Sequence, residues 1–252
     1  MRILKNDKRY ITAVLILQFF IGIYIALIRL APNMTVPVAF DVLFFYAREE
    51  IYIDLTNTEF DVRVILSILD LFITIPLLSC VLSRNYRAKC CYGATRLGSY
   101  KGLYFGETAK SLGLCFASGA IYTAGFGVPA FIMSDKSLYD TASVGKMALS
   151  VFAYALVSFT MVHIASIVSV VYNEKVGMLS VTGLFLVCAV LLFFLPTGLK
   201  QWDIVGWYFV NVFTEQKEIF RFSPYVYYSL GIMLDGALCF MGYRVLKSKD
   251  VL

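Results

Sequence analysis

The sequence predicts an all-α, polytopic membrane protein, a single transmembrane domain over residues 1–252 that crosses the bilayer six times. Composition is the first ground for this prediction. Of all residues, 60% are hydrophobic and 15% are charged, whereas about a quarter are charged in soluble domains. The second ground is six apolar stretches of roughly 20 residues, the length that a spanning helix needs. A soluble fold of this length would need a polar surface that these residues cannot supply.

The six predicted spans follow from where the apolar stretches begin and end. They cover residues 11–30, 64–83, 111–133, 147–172, 176–195 and 225–243. The first stretch has no small-residue cleavage site, which favours a retained helix over a signal peptide. The third span is rich in small residues between Gly113 and Gly127, a composition typical of membrane helices that pack closely.

The orientation of the spans is predicted from the basic residues in the connections between them. With the N-terminus inside, the internal segments carry 14 Lys and Arg residues and the external ones carry 8. Cytoplasmic segments of membrane proteins are enriched in these residues, so both chain ends are predicted to be cytoplasmic, N-in and C-in. The net charge of +5 has the same explanation, which argues against a nucleic-acid partner.

Two connections are long enough to carry structure of their own. Residues 196–224, between the fifth and sixth spans, mix aromatic and charged side chains, which suits an external amphipathic segment at the membrane interface. Residues 84–110, between the second and third spans, are basic and aromatic. Such a segment suits a short cytoplasmic helix that docks on an acidic partner, because charge steers association and aromatic rings anchor it. The alternative is that its cations only set topology.

Catalytic motifs are missing from the sequence. His163 is the only histidine, which excludes zinc motifs that need two. Gly145-Lys146 is the nearest approach to a phosphate-binding loop, but Asp140 stands where the first glycine belongs and Met147 replaces the hydroxyl residue. The six cysteines fall in predicted helices or in the internal connection, which favours neither a disulfide framework nor a metal site. The chain is therefore predicted to be no enzyme and to hold no cofactor or metal of its own.

Three ionisable residues inside predicted spans are candidates for a translocation pathway: Asp70, His163 and Asp235. Asp235 lies eleven residues beyond Pro224, and at a rise of about 1.5 Å per residue it is roughly 16 Å deep, near the midplane. Ionisable groups in hydrocarbon are costly and normally face a cavity or a partner, so function is the default hypothesis. The alternative is a structural hydrogen bond to a neighbouring helix.

The internal connection after the second span combines a short cationic and aromatic segment with a glycine- and serine-containing stretch. The segment includes Arg87, Lys89 and Tyr92, and the stretch after it reads Arg96, Gly98, Ser99, Tyr100 and Lys101. This pattern resembles ABC-2-type exporter permeases, in which a short cytoplasmic coupling helix at this position docks on the ATPase. The six-span, N-in and C-in plan and the external segment before the sixth span are similar to that family as well.

The resemblance implies a function and a set of partners. The chain would be the permease subunit of an ABC exporter in the bacterial inner membrane, paired with a second permease as a homodimer or heterodimer. Separate ATPase chains would bind ATP and magnesium and contact Arg87, Lys89, Tyr92 and Arg96. The implied substrate is an amphipathic solute, such as a small peptide toxin or bacteriocin. Two other functions stay open: a non-transporting scaffold or sensor subunit, and an intramembrane enzyme that relies on His163 or Asp235.

Overall fold

The computed structural model describes residues 2–29, 62–84, 100–133, 141–194, 199, 201–202 and 222–249. The described part of the chain folds into six α-helices. They are α1 (Arg2–Arg29), α2 (Val62–Ser83), α3 (Tyr100–Met133), α4 (Thr141–Val171), α5 (Glu174–Phe194) and α6 (Pro224–Lys249). Each of these helices contains one of the six predicted apolar stretches almost whole. The prediction of an all-helical chain is therefore confirmed for the residues that the structure describes.

Four of the helices are long and apolar enough, over their described residues, to cross a membrane. These stretches are Lys8–Leu27, Lys101–Met133, Met147–Val171 and Tyr225–Ser248, and α2 contributes the shorter apolar stretch Ile73–Ser83. Their outward faces carry large hydrophobic side chains, such as Phe20 on α1 and Met233 on α6, whose natural solvent is lipid. The chain is thus a membrane-embedded helical protein.

Helix α3 begins at Tyr100, well before the span predicted to start at residue 111, so the final part of the predicted connection 84–110 is helical. This first part of α3 is amphipathic, which is why hydropathy alone did not assign it to the helix. Tyr104 is buried, whereas Lys110 is exposed and pairs with Glu107 one turn earlier, with Nζ and Oε1 2.6 Å apart. An i,i+3 pair of this kind supports a helix.

Helix α4 occupies the centre of the bundle. It packs against α2, α3, α5 and α6, while α1 packs mainly against α3 and also contacts α2. The buried side chains of α4 include several small ones, among them Ala153, Ala155 and Ala165, beside the larger Tyr154 and Phe159. Small side chains let helix backbones approach closely, and this approach replaces the hydrophobic driving force that is weak in lipid.

The crossing of α1 and α3 brings two backbones into direct contact. A Cβ atom added to Gly22 would lie 2.5 Å from the carbonyl oxygen of Tyr122, and one added to Gly125 would collide with the carbonyl group of Phe19. On the other side of α3, a Cβ at Gly119 would lie 3.0 Å from the carbonyl oxygen of Val151 on α4. The prediction that the small residues of this helix serve close packing is confirmed at Gly119 and Gly125.

The helices alternate in direction, so the start of α1, the end of α2, the start of α3, the α4–α5 turn and the end of α6 meet at one end of the bundle. There the Arg84 guanidinium lies 4.4 Å from the centre of the Tyr10 ring, and Tyr104 packs with Val170 and Leu246. We call this end the basic end, because it collects Lys8, Arg9, Arg84, Lys101, Lys110, Lys175, Arg244 and Lys247. At the opposite end the described helices hold three basic positions, Arg29, Arg63 and Lys146, against eleven at the basic end when Arg2, Lys5 and Lys249 are also counted.

Replacing Gly125 by Ala should destabilise the bundle, because the new Cβ has no space against the Phe19 backbone. Overpacking of a tight contact typically costs about 1–3 kcal/mol. Gly113→Ala on the same helix is the matched control, since a Cβ there meets nothing within 4 Å. It should hold or raise stability, because Ala favours a helix over Gly by about 1 kcal/mol. Thermal midpoints of the two variants in detergent test this, and equal midpoints would contradict the close α1–α3 contact.

Candidate functional site

The carboxylate of Asp235 lies at the interface of α6 with α4 and is buried, with 7% of the residue exposed. The Thr160 hydroxyl on α4 donates to an Asp235 carboxylate oxygen at 2.7 Å. The same hydroxyl oxygen lies 3.0 Å from the Leu156 carbonyl oxygen, its i−4 partner in the helix. A threonine has only one hydroxyl proton, so these two acceptors compete for it.

His163 lies one turn after Thr160 on α4 and contacts both α3 and α6. Its Nε2 is 3.3 Å from the Tyr104 hydroxyl oxygen and 3.4 Å from Cys239 Sγ. Tyr104 donates its proton to the Cys239 carbonyl oxygen at 2.8 Å, so toward His163 its oxygen acts as an acceptor. We therefore assign the imidazole proton to Nε2, which leaves Nδ1 as a buried acceptor with no hydrogen-bond partner among the described residues.

The site formed by Tyr104, Thr160, His163, Asp235 and Cys239 is a polar seam along the α4–α6 interface, closed on one side by the start of α3. Cys239 lies one turn after Asp235 on α6, as His163 follows Thr160 on α4, so the two hydrogen-bonded groups stack in register. Packing also holds the imidazole, because the Phe159 ring lies edge-on at 4.6 Å between ring centroids. We call this group the α4–α6 seam.

The chemistry of the α4–α6 seam is that of helix association. Both Asp235 and His163 contact a neighbouring helix, which agrees with the alternative interpretation that they form structural hydrogen bonds between helices. Among the described residues, no group of three or more His, Cys, Asp or Glu side chains is arranged to hold a metal ion. The role of Asp235 and His163 in a translocation pathway stays a prediction.

The remaining sequence-predicted site residues fall outside what the structure describes in atomic detail. Asp70 lies within α2, and its side chain is outside the described residues. The predicted coupling residues Arg87, Lys89, Tyr92 and Arg96 lie at 85–99, also outside the described residues. The same holds for most of the predicted external segment at 196–224, of which Trp202 is described as exposed.

Sequence reasoning missed a second buried polar group, formed where α1, α2, α3 and α4 meet. Ser118 donates to Gln18 Oε1 at 2.5 Å, and Gln18 Nε2 donates to the Tyr154 hydroxyl at 3.2 Å. The Tyr154 ring stacks on Tyr122, with centroids 5.4 Å apart. The available signal was Gln18 itself, an amide in the middle of an otherwise apolar span. Tyr104 was missed because the sequence placed it in a connection.

Comparison of the chain with models of protein families, with curated proteins and with solved structures found no match. The class of the protein, a membrane-embedded helical protein, therefore follows from its fold and composition.

Substitutions at Tyr104 and at Gly242 should have coupled effects on the stability of the protein. A Cβ added at Gly242 would collide with the Tyr104 hydroxyl. Tyr104→Phe should destabilise by about 1–3 kcal/mol, because the Cys239 carbonyl loses its donor. Gly242→Ala should also destabilise, but the double variant should lose less than the sum, since the colliding atom is gone. Thermal midpoints of the four proteins measure this coupling.

The control for this cycle is Gly236→Ala on the same helix, because a Cβ there meets nothing within 4 Å. Its effect on the thermal midpoint should simply add to the effect of Tyr104→Phe. Strict additivity of Tyr104→Phe with Gly242→Ala would contradict the described contact between the two residues.

Proposed function

We propose that the chain is the permease subunit of an ABC exporter, paired with a second permease and with two separate ATPase chains. In this proposal all six helices span the bacterial inner membrane, and both chain ends are cytoplasmic. The chain itself is not an enzyme, and ATP and magnesium are bound by the partner ATPase. The second permease is either a copy of this chain or a related one.

The observation that carries this proposal is the basic end of the bundle. Eight Lys and Arg side chains lie there, and the connection at 85–99 leaves from Arg84 and re-enters at Tyr100 at the same end. A segment with further cations and aromatic rings, joined at both ends to an already basic surface, is suited to an acidic cytoplasmic partner. The positive-inside rule puts that surface in the cytoplasm, where an ATPase operates.

Contacts that link the basic end to the interior of the bundle also support this proposal. Helix α3 continues without interruption from Tyr100 to Met133, and Tyr104 in its second turn bonds to α4 and α6. A displacement of the connection at 85–99 would therefore reach His163 and the Cys239 backbone directly. An exporter needs such a route, because ATP-driven movement outside the bilayer must alter the bundle within it.

The substrate that fits this proposal is an amphipathic solute, such as a small peptide toxin or bacteriocin. The negative charge of Asp235, about midway along α6, suits a cationic group on such a peptide. The apolar outward faces of α1 and α6 would contact lipid and the second permease. This substrate class and the roles of Asp235 and His163 are part of the proposal.

Two alternatives use the same fold. A scaffold or sensor subunit would also lack catalytic motifs, but no ATPase would copurify with it. An intramembrane enzyme would rely on His163 or Asp235, and it would be active without a partner. The enzyme is the less favoured of the two, because both side chains are buried and contact neighbouring helices.

Docking of the ATPase can be tested by copurification in mild detergent. We expect an ATPase chain to copurify with the wild-type protein and Arg87→Ala/Lys89→Ala/Tyr92→Ala to weaken that association, with membrane insertion unchanged. The matched control is Arg244→Ala/Lys247→Ala, which removes two exposed cations from the same basic end. Docking through this segment would be refuted if as much ATPase were recovered with the triple variant as with the wild-type protein. The exporter proposal would be refuted if no ATPase copurified with the wild-type protein.

The pathway role of Asp235 is tested by comparing Asp235→Asn with Asp235→Ala in the reconstituted complex. Asn keeps the volume and hydrogen-bonding capacity but removes the charge, whereas Ala removes both. If the charge meets the substrate, Asn should reduce substrate-stimulated ATP turnover nearly as much as Ala, with basal turnover roughly preserved.

Thr160→Val is the control for this comparison, because it removes the hydrogen-bond donor to Asp235 and leaves the charge. This variant should lower the stability of the protein, with a smaller effect on substrate-stimulated ATP turnover. Wild-type stimulation in Asp235→Asn, with loss of stability only in Asp235→Ala, would make Asp235 a structural residue.

A further inference from the structure

A shallow groove runs along the outer side of the bundle between α3 and α6. Both helices pack on α4, but α6 contacts α3 far less than it contacts α4. The Phe152 ring of α4 lies 6.0 Å from the Phe116 ring of α3 and 6.0 Å from the Tyr228 ring of α6, between centroids. The Phe152 side chain is nevertheless 37% exposed, so α3 and α6 stand apart over it and leave α4 open to lipid.

Near the basic end, α3 and α6 come together through a pair of aromatic rings. Phe105 on α3 stacks on Tyr243 on α6, with centroids 6.2 Å apart and ring planes 26° from parallel. The Phe105 side chain is half-exposed. Tyrosine rings in membrane helices favour the boundary between the headgroups and the acyl chains. This end of the groove therefore lies just below the level of the headgroups.

The two walls of the groove have the same order of side chains. Each wall carries a lysine, an aromatic ring one turn deeper, and an apolar side chain eleven residues beyond the ring. They are Lys101, Phe105 and Phe116 on α3, and Lys247, Tyr243 and Ile232 on α6. Intervals of four and eleven residues keep side chains on one face of a helix. Eleven residues rise roughly 16 Å, about half of the hydrocarbon core, so the groove is as deep as one leaflet.

The two lysines at the groove are cations without a counterion. Because α3 begins and α6 ends at the basic end, Lys101 and Lys247 each lie one turn nearer the membrane surface than the stacked rings. Both are exposed, and neither forms an ion pair with a described residue. Arg244 differs, since its guanidinium lies 5.0 Å from the centre of the Phe240 ring. Two unpaired ammonium groups above an apolar groove attract an anion that carries a hydrocarbon chain.

We propose that this groove binds an anionic phospholipid from the leaflet at the basic end. Its phosphate lies between Lys101 and Lys247, and one acyl chain follows the groove past Phe105 and Tyr243 to Phe152. Basic sites between transmembrane helices suit the headgroups of anionic lipids. The site faces the side of the bundle, and it does not depend on the proposed transport function.

Charge and chain together select this occupant. A lipid with no net charge would fill the groove but would leave the two ammonium groups unbalanced. Free phosphate would balance the charge but would leave the groove to other chains, and exposed ion pairs in water contribute little. An anionic phospholipid supplies both contacts with one molecule.

The proposal can be tested with the full-length chain in a nonionic detergent, by measuring the thermal midpoint as phosphatidylglycerol or phosphatidylcholine is added. A ligand of the folded state raises the midpoint, so phosphatidylglycerol should raise it by several degrees more than phosphatidylcholine does. Lys101→Gln/Lys247→Gln should need about thirtyfold more phosphatidylglycerol for the same rise, because two cations near the phosphate are lost. Its midpoint without added lipid should match that of the wild-type protein.

The matched control for charge is Lys8→Gln/Lys175→Gln, which removes two exposed cations from α1 and α5 at the same end. This variant should respond to phosphatidylglycerol almost as the wild-type protein does. The lipid site is overturned if Lys101→Gln/Lys247→Gln keeps the wild-type response, or if the control loses as much. It is also overturned if inorganic phosphate at the same concentration gives the same rise, because no chain would then be needed.

A second pair of variants tests the acyl chain. Gly236 lies on the same face of α6 as Tyr243 and Ile232, and a Cβ there meets nothing within 4 Å. Gly236→Leu should therefore fill the groove and raise the phosphatidylglycerol concentration that is needed. Gly183→Leu on α5 is the control, since a Cβ there also meets nothing within 4 Å. Equal responses of these two variants to phosphatidylglycerol would overturn the placement of the chain in the groove.

Discussion

Direct contact between helix backbones is the constraint on which the rest of this bundle depends. At the crossing of α1 and α3, neither Gly22 nor Gly125 leaves room for a Cβ atom. Lipid offers apolar side chains as good a surrounding as a neighbouring helix does, so close approach and polar contacts must supply the association energy. Once α1 and α3 are this close, Gln18 reaches Ser118 and Tyr154, and the polar group between the first four helices can form.

Helix α4 organises both polar regions because it presents different residues on different faces. Tyr154 and Ser158 point toward α1, α2 and α3, whereas Thr160 and His163 point toward α6 and the start of α3. Consecutive turns of one helix thus serve two sets of neighbours. This arrangement accounts for the Thr160 hydroxyl, which donates to Asp235 on α6, and for the Tyr154 hydroxyl, which accepts from Gln18 on α1.

Much of this architecture could be predicted from the sequence, and the limits of that prediction have a physical cause. Hydropathy located the six helices, and the small residues of the third span predicted the close contacts at Gly119 and Gly125. Depth along α6 marked Asp235 as an unusual residue, but depth does not reveal a partner, and Thr160 is distant in sequence. Tyr104 could not be found in the same way, because an amphipathic helix start reads as a polar connection when only average hydropathy is considered.

The turn between α4 and α5 has a consequence for how the protein inserts and folds. Asn173 caps α5 by accepting a hydrogen bond from the Val176 amide at 2.9 Å, and Gly177 packs directly against Ser169 and Ala165. These contacts join residues close in sequence, so little loop entropy is lost in forming them. The α4–α5 hairpin is therefore suited to assemble early, as a unit with low contact order. Helices that reach α4 from far along the chain, such as α6, would then dock on a hairpin that already exists.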